Sequence, residues 1–465
     1  MMGFDPIEVS RWCGGQWIPH PPGVISAVVH DTKAVSPGAL FVAIRGTKFD
    51  GHDFVAKAAM AGASAALISR VRAPGLQGLG LPLLVVEDSA QALKALATGY
   101  RLKLGLAVVG VTGSTGKTTV KDMISCLLAD VIPTACTKGN WNNEIGLPLS
   151  ILAIPRETRV AVLELGISHP GEMAPLCATA RPDWGVITNA GPVHLEFFPS
   201  VEAIAQEKGE LFRSLPPNGT AVLSLDDPYV NILRDCAHGR VITTSIKGNR
   251  DADYQLLLDD RQTGECAVED GPGGGAYAFR VSQPGAHNRH NALLAIAVAR
   301  GFGISWEQIA SSFERYVPAP MRWEQIQAGG VTLINDAYNA NPISMLAAIQ
   351  TFKELVVPGR KWLVLGDMLE LGPSGVAEHL AVGRALVGVS WAGVVTVGVL
   401  GAFIARGALD AGIPTGCVYP CDTVESAIEI MSNCIARGDA LLVKASRGKH
   451  LEEVVLRLSA RLGKD

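Results

Sequence analysis

No sign of charge dominates this chain. Its 40 Lys and Arg face 44 Asp and Glu, for a net charge of −4, so there is no basic field to hold a nucleic-acid backbone. The nine cysteines are scattered, odd in number and form no CxxC pair. That pattern argues against a disulfide framework or a zinc site, and for a reducing compartment. No run of 18 apolar residues occurs, and the stretch MMGFDPIEVSRW lacks a basic segment followed by an apolar one. Neither membrane insertion nor an export leader is expected. The expectation is a cytoplasmic monomer. Internal repeats and low-complexity arrays are also missing.

What is present is an α/β pattern over 465 residues, too long for one core at about 100 to 200 residues per domain. Three domains are expected, at 1–105, 106–318 and 319–465. The first alternates short β-like runs (LFVAI at 40–44, LPLLVVED at 81–88) with Ala-rich helical stretches such as FVAKAAMAGASAALI, a small α/β unit. The second carries the strand-like runs LAVVGV, RVAVLELG, WGVITN, TAVLSL and VITT between helical patterns, the mark of a mostly parallel sheet. It also holds hairpin material with a glycine-rich tip and a helix beginning near Asn288. In the third, VTLIND, KWLVLGD, AGVVTVG and ALLVKAS alternate with helices, a doubly wound, Rossmann-like arrangement.

The stretch GVTGSTGKTT at 110–119 joins an apolar strand to a helix. Val120, Met123, Ile124, Leu127 and Leu128 fall on one face of that helix. Gly113 and Gly116 let backbone N–H groups converge, the helix start is electropositive, Lys117 can reach β- and γ-phosphates, and Thr118 can ligate magnesium. Gly113, Ser114, Thr115, Gly116, Lys117, Thr118 and Thr119 are therefore candidate triphosphate contacts. The outer glycine, Gly110, stands one place earlier than in the usual GxxxxGK[ST] spacing. A ligand-free glycine turn is the bland alternative.

Other polar residues stand where ligands sit in open α/β sheets, beyond the carboxyl ends of strands. Glu164 ends the run RVAVLE, where it is either a solvated strand end or a magnesium ligand. Asn189 ends WGVITN, and His194 follows in a Gly-Pro loop. Lys208 lies on a helix with Val201, Ile204 and Leu211 at helical spacing. Taken alone, His194 reads as structural and Lys208 as a surface lysine.

The blocks GVTGSTGKTT, TKGNWNNEIGLPLSIL, LELG, ITNAGPVHLEFF, EKGELF, PGAHNRHN, NDAYNANPISM, LGDMLELG and VKASRG occur in an order that resembles the Mur ligases of bacterial peptidoglycan synthesis. That family's loop has the same early outer glycine. Within it, PGALFVAIRGTKFDGHDF, NDAYNANPISM, LGDMLELG and VKASRG are most similar to the branch that joins D-alanyl-D-alanine to UDP-N-acetylmuramoyl-tripeptide. A DNPR-type string, which marks the diaminopimelate- or lysine-adding branch, is missing.

The resemblance implies that Lys117 and the loop amides hold ATP, and that Thr118 and Glu164 hold one Mg2+. It implies that His194 and a carbamylated Lys208 serve a second, so that Lys117, Glu164, His194 and Lys208 form the catalytic set. Carbamylation would turn a metal-repelling ammonium into an oxygen ligand. By the same resemblance His287, Asn288 and Asn291 lie near the adenine, and Arg322, Asp336, Tyr338 and Asn339 contact the nucleotide from beyond the central domain. Substrate contacts are implied for Asn140, Asn142 and Asn143. The family's DSR, which recognises uridine, reads Asp31, Thr32 and Lys33 here, and its KGSR reads Lys444, Ala445, Ser446 and Arg447.

The implied reaction is attack of a carboxylate on the γ-phosphoryl group, then of the dipeptide amine on the acyl phosphate. Positioning and charge stabilisation supply the catalysis. With nucleotide contacts split between domains, closure of the third domain on the second is expected. The alternatives are another acid-amino-acid ligase, either the tripeptide-forming Mur ligase or folylpolyglutamate synthase, and a P-loop switch ATPase.

Overall fold

A computed structural model of the chain describes residues 3–260 and 263–463. Among the described residues three sheets form. The first has the order Gln16–Ile18, Leu83–Val86, Ala65–Ser69, Ala39–Val42, Ala27–Val29, parallel except for the first strand. One expectation fails here. The stretch FVAKAAMAGASAALI is not helical throughout, but splits into helix Val55–Met60 and strand Ala65–Ser69. Gly62, at φ 100°, ends the helical part, and the following apolar run is buried between two parallel neighbours. A short apolar run fits a buried strand and a buried helix equally well, and its neighbours decide which.

The second sheet runs Ala276–Arg280, Glu265–Asp270, Tyr254–Asp259, Arg240–Ser245, Thr220–Ser224, Trp184–Ile187, Ala107–Thr112, Val160–Glu164, Thr134–Cys136. Its first three strands pair antiparallel, and the remaining pairs are parallel. Strand Ala107–Thr112 lies between Val160–Glu164 and Trp184–Ile187, with Val111 beside Glu164 and Thr112 beside Ile187. The chain leaves this strand toward one edge of the sheet and later returns on its other side. A crevice therefore opens beyond its carboxyl end, as at other topological switch points. Helix Lys117–Ala129 packs back on the sheet through Val120, Met123, Ile124, Leu127 and Leu128, all fully buried.

The third sheet has the order Glu324–Ala328, Val331–Asn335, Ala440–Lys444, Lys361–Gly366, Gly393–Val397, Val418–Cys421. Only its first pair is antiparallel, and helices cover both faces around two apolar clusters. The strand Val418–Cys421 contains Pro420 and lies at the sheet edge, where a missing N–H is tolerated.

The two junctions differ. Helix Ser89–Leu104 follows the first sheet and shares one apolar cluster with it and with the second, in which Leu84, Leu96, Val108 and Leu163 are all buried. Tyr100 donates to the carbonyl of Ile154 at 2.8 Å, and Arg101 pairs with Asp183 at 2.9 Å. Near residue 319, by contrast, none of the apolar clusters of described residues crosses.

Candidate active site

The loop after strand Ala107–Thr112 is held from below by the neighbouring strand's end. Ser114 N–H donates to the carbonyl of Asn189 at 2.9 Å, and Thr115 N–H donates to Asn189 Oδ1 at 3.0 Å. Ser114 and Gly191 exchange hydrogen bonds through the serine hydroxyl. Gly113 has φ 151°, and a Cβ there would come within 1.8 Å of Thr188 Oγ1. Gly116, at φ 78°, lies against Asn291, whose Oδ1 would be 2.6 Å from an added Cβ. Both glycines are thus required by close approach and not only by flexibility. Lys117 Nζ donates to the Gly113 carbonyl at 2.8 Å, closing the loop on itself. Burial lowers the pKa of this amine, with Glu164 opposing and Arg322 reinforcing the shift.

Glu164 is buried at the end of its strand and organises the neighbouring donors. Its Oε2 accepts from the Thr118 hydroxyl at 2.7 Å, and its Oε1 accepts from Asn142 Nδ2 at 2.7 Å. Glu164 N–H donates to Thr137 Oγ1, while the buried Lys121 donates to the Thr137 carbonyl. Thr137, Lys121 and Thr188 hold the site from behind. None has a sequence signal, because a threonine or lysine under a loop looks like any other. Asn143 Oδ1 accepts from Gly146 N–H at 2.8 Å at the start of helix Gly146–Leu152, and Asn140 stands exposed on the same loop.

Groups from beyond residue 319 complete the other wall. Arg322 Nη2 donates to Thr118 Oγ1 at 2.9 Å, and its guanidinium lies 4.2 Å above the Tyr338 ring. Asp336 accepts from Lys444 Nζ at 2.8 Å and from Trp323 N–H at 3.1 Å, and Lys444 also donates to the Asn339 carbonyl. The buried Ser446 accepts from Leu369 N–H at 2.9 Å. Arg447 pairs with Glu452 at 2.9 Å. Across from them, Asn288 donates to the Pro284 carbonyl, and burial lowers the His287 pKa to about 4. These residues, with Asn140, Asn142, Asn143, Asn291 and the loop, surround one cavity of about 840 Å3.

His194 also faces this cavity, and its Nδ1–H donates to Glu370 Oε2 at 2.5 Å across the domain junction. That hydrogen bond holds the Glu370 carboxyl below the ordinary carboxylate range. Two groups of expected residues are not brought into the wall. Lys208, on helix Val201–Arg213, is 2% exposed and stands behind the cavity lining. Among the described residues its amine has no hydrogen-bond or ion-pair partner. Burial and the nearby Lys117 cation push its pKa well below the lysine value, with Glu207 opposing. Asp31, Thr32 and Lys33 form an outlying turn in which Asp31 accepts from Lys33 N–H at 2.9 Å. Beside that turn, His30 makes an edge-on contact with Trp141, 6.4 Å between ring centres.

No three His, Cys, Asp or Glu side chains converge among the described residues. The hard oxygen pair of Thr118 and Glu164 still fits Mg2+, which takes one or two protein oxygens and completes its shell with water and substrate phosphates.

Three family models match in order: "Mur ligase family, catalytic domain" over residues 24–101, "Mur ligase middle domain" over 111–299, and "Mur ligase, glutamate ligase domain" over 321–447. The chain is 39% identical over 433 residues to the UDP-N-acetylmuramoyl-tripeptide--D-alanyl-D-alanine ligase of Bacillus subtilis, covering 93% of each chain. Its structure is similar to that of MurF from Acinetobacter baumannii, with a TM-score of 0.87, 29% identity and 99% of each chain covered. It is also similar to the MurF ligase of Thermotoga maritima in complex with ADP, with a TM-score of 0.78, 30% identity, and 94% of this chain and 97% of that one covered. The chain belongs to the Mur ligase family.

Proposed function

We infer that this chain is an ATP-dependent ligase that joins D-alanyl-D-alanine to UDP-N-acetylmuramoyl-tripeptide, giving the pentapeptide precursor of peptidoglycan. The observation that carries the reading is the one cavity in which the phosphate loop, the Thr118–Glu164 pair and the buried Lys444 of the third domain face one another. A switch ATPase needs the first of these but has no use for a second polar wall from another domain. The relatives' names supply the two substrates, and the ADP complex of one neighbour supports ATP as the energy source.

The chemistry follows from bringing two anions together. The peptide carboxylate attacks the γ-phosphorus and ADP departs, leaving an acyl phosphate. The amine of D-alanyl-D-alanine then attacks the acyl carbon, and phosphate leaves from the tetrahedral intermediate as the nitrogen loses its proton. No side-chain nucleophile is required, so the residues act by position and charge. Lys117 and the amides of 113–119 hold the β- and γ-phosphates, and Arg322 contributes a second cation from the far side. Asn288 and Asn291, with Asp336, Tyr338 and Asn339, hold the nucleoside end. Lys444, Ser446 and Arg447 receive the dipeptide from the third domain. Asn140, Asn142 and Asn143 border the tripeptide, and Asp31, Thr32 and Lys33 meet its uridine. Mg2+ held by Thr118 and Glu164, with a second ion served by His194 and Lys208, would neutralise charge between triphosphate and carboxylate.

Carbamylation of Lys208 is part of this reading. Burial that lowers the pKa of this amine raises its neutral, nucleophilic fraction, so it can take up CO2, and the product would be an anion near Lys117. A cytoplasmic monomer is the proposed state, supported by free thiols at all nine cysteines. Among the described residues no helix is long and apolar enough to cross a membrane.

The test is an acceptor screen with UDP-N-acetylmuramoyl-tripeptide, ATP and Mg2+, following ADP and product mass. Pentapeptide formed only with D-alanyl-D-alanine supports the reading. ADP release that ignores the acceptor, or product formed from a single amino acid, rejects it.

A further inference from the structure

The loop 190–198 of the central domain is gripped by the third domain at three successive points. At Gly191, Ile343 Cδ1 lies so close that an added Cβ would be 2.0 Å from it. At His194, Nδ1 meets Glu370 Oε2 at 2.5 Å. At Glu196, the backbone of Gly372 approaches until an added Cβ would lie 2.9 Å from the Glu196 Cα. The middle contact is the polar one, and it is built from two non-glycine residues in the left-handed region, His194 at φ 53° and Glu370 at φ 63°. A positive φ is uncommon outside glycine, less so for histidine than for glutamate, and persists where surrounding structure over-determines it. Here the strained pair meets itself across the domain junction.

We propose that Glu370 is a positioning residue of the ligase, whose carboxylate fixes the His194 imidazole and completes the site only when the third domain is docked on the loop 190–198. A carboxylate accepting from Nδ1–H sets the tautomer and leaves the lone pair on Nε2, the nitrogen available to a cation or phosphate in the cavity. The third domain carries the residues assigned to the dipeptide, so the same motion that delivers the acceptor side of the cavity orients His194. Phosphorylation of the acid is thereby coupled to the presence of the domain that will use it, which limits loss of the acyl phosphate to water. Glu370 sits in LGDMLELG, and its left-handed backbone and its contact with His194 distinguish it from its neighbours.

This inference rests on the ligase reading above, and the experiment separates the two. Wild type, Glu370→Gln and Glu370→Asp are compared in full ligation assays, by ADP titration, by thermal unfolding, and by small-angle scattering with and without ADP, UDP-N-acetylmuramoyl-tripeptide and D-alanyl-D-alanine. The expected result for Glu370→Gln is a fall in kcat of about tenfold or more, with ATP KM, ADP affinity and melting temperature close to wild type. Ligand-induced compaction weakens, and Glu370→Asp recovers part of both losses. The proposal is overturned if Glu370→Gln keeps wild-type kcat and compaction, or if its losses come with equal losses of ADP affinity and thermal stability. If wild type makes no dipeptide product, the ligase reading falls, and the scattering comparison still decides whether Glu370 governs docking.

Discussion

Three groups of the site converge on Glu164: a threonine hydroxyl, an asparagine amide and, through its backbone, Thr137. Glu164→Gln preserves shape and removes the charge, so kcat for dipeptide ligation should fall by about 100-fold or more, while the melting temperature changes little. Steady-state kinetics beside a thermal melt checks this. For Lys208, the reading predicts that turnover falls in CO2-depleted buffer and returns with bicarbonate, and that Lys208→Met is inactive and unresponsive. Turnover independent of bicarbonate contradicts it. His287 gives a pH prediction. Its folded pKa of about 4 lies below the ordinary histidine value, so between about pH 6.5 and 4 the unfolded chain binds the extra proton. Stability is fully present above that window and declines by about 3 kcal/mol as pH falls through it. Urea unfolding at pH 7 and pH 5 should show a smaller acid loss for His287→Gln than for wild type. The sequence makes Glu164 conspicuous because it ends an apolar strand. Lys208 is marked there only by family resemblance, since a helical lysine looks solvated until burial is known.

At the scale of elements, the phosphate loop is the most legible part. Its glycines, lysine and following amphipathic helix are local in sequence, and so is the physics that shapes them. Gly113→Ala would drive a methyl into Thr188, so ADP affinity should drop at least tenfold in calorimetric titration with the fold retained. Unchanged affinity would mean that the loop has a different form with nucleotide bound. The strand Ala65–Ser69 is the opposite case. Its residues suit a helix, and only the two parallel strands beside it, contributed by segments about 20 residues away on either side, make it a strand. The contact between His194 and Glu370 is more distant still, spanning 176 residues, and no pattern in either segment announces it.

For the whole molecule, the two junctions set the mechanics. An apolar cluster running through the first two domains makes them one body, whereas the third domain meets the second through polar contacts of Arg322, Gln283 and Glu370 and the close packing of Ile343 and Gly372 on the loop 190–198, with no shared apolar cluster among the described residues. The three-domain order was readable from strand-helix alternation, because each domain's pattern is contiguous. The unequal strength of the junctions was not, because it depends on which buried faces meet. Such a molecule can load nucleotide and acid in one rigid half and bring the amine with the other. In the proposed reaction the acid is phosphorylated before it is joined. The direct measurement uses UDP-N-acetylmuramoyl-tripeptide carrying 18O in its terminal carboxylate, with ATP, Mg2+ and D-alanyl-D-alanine, followed by mass analysis of the released phosphate. One carboxylate oxygen should be transferred to each phosphate; phosphate free of label, with pentapeptide still formed, would rule out the acyl-phosphate route.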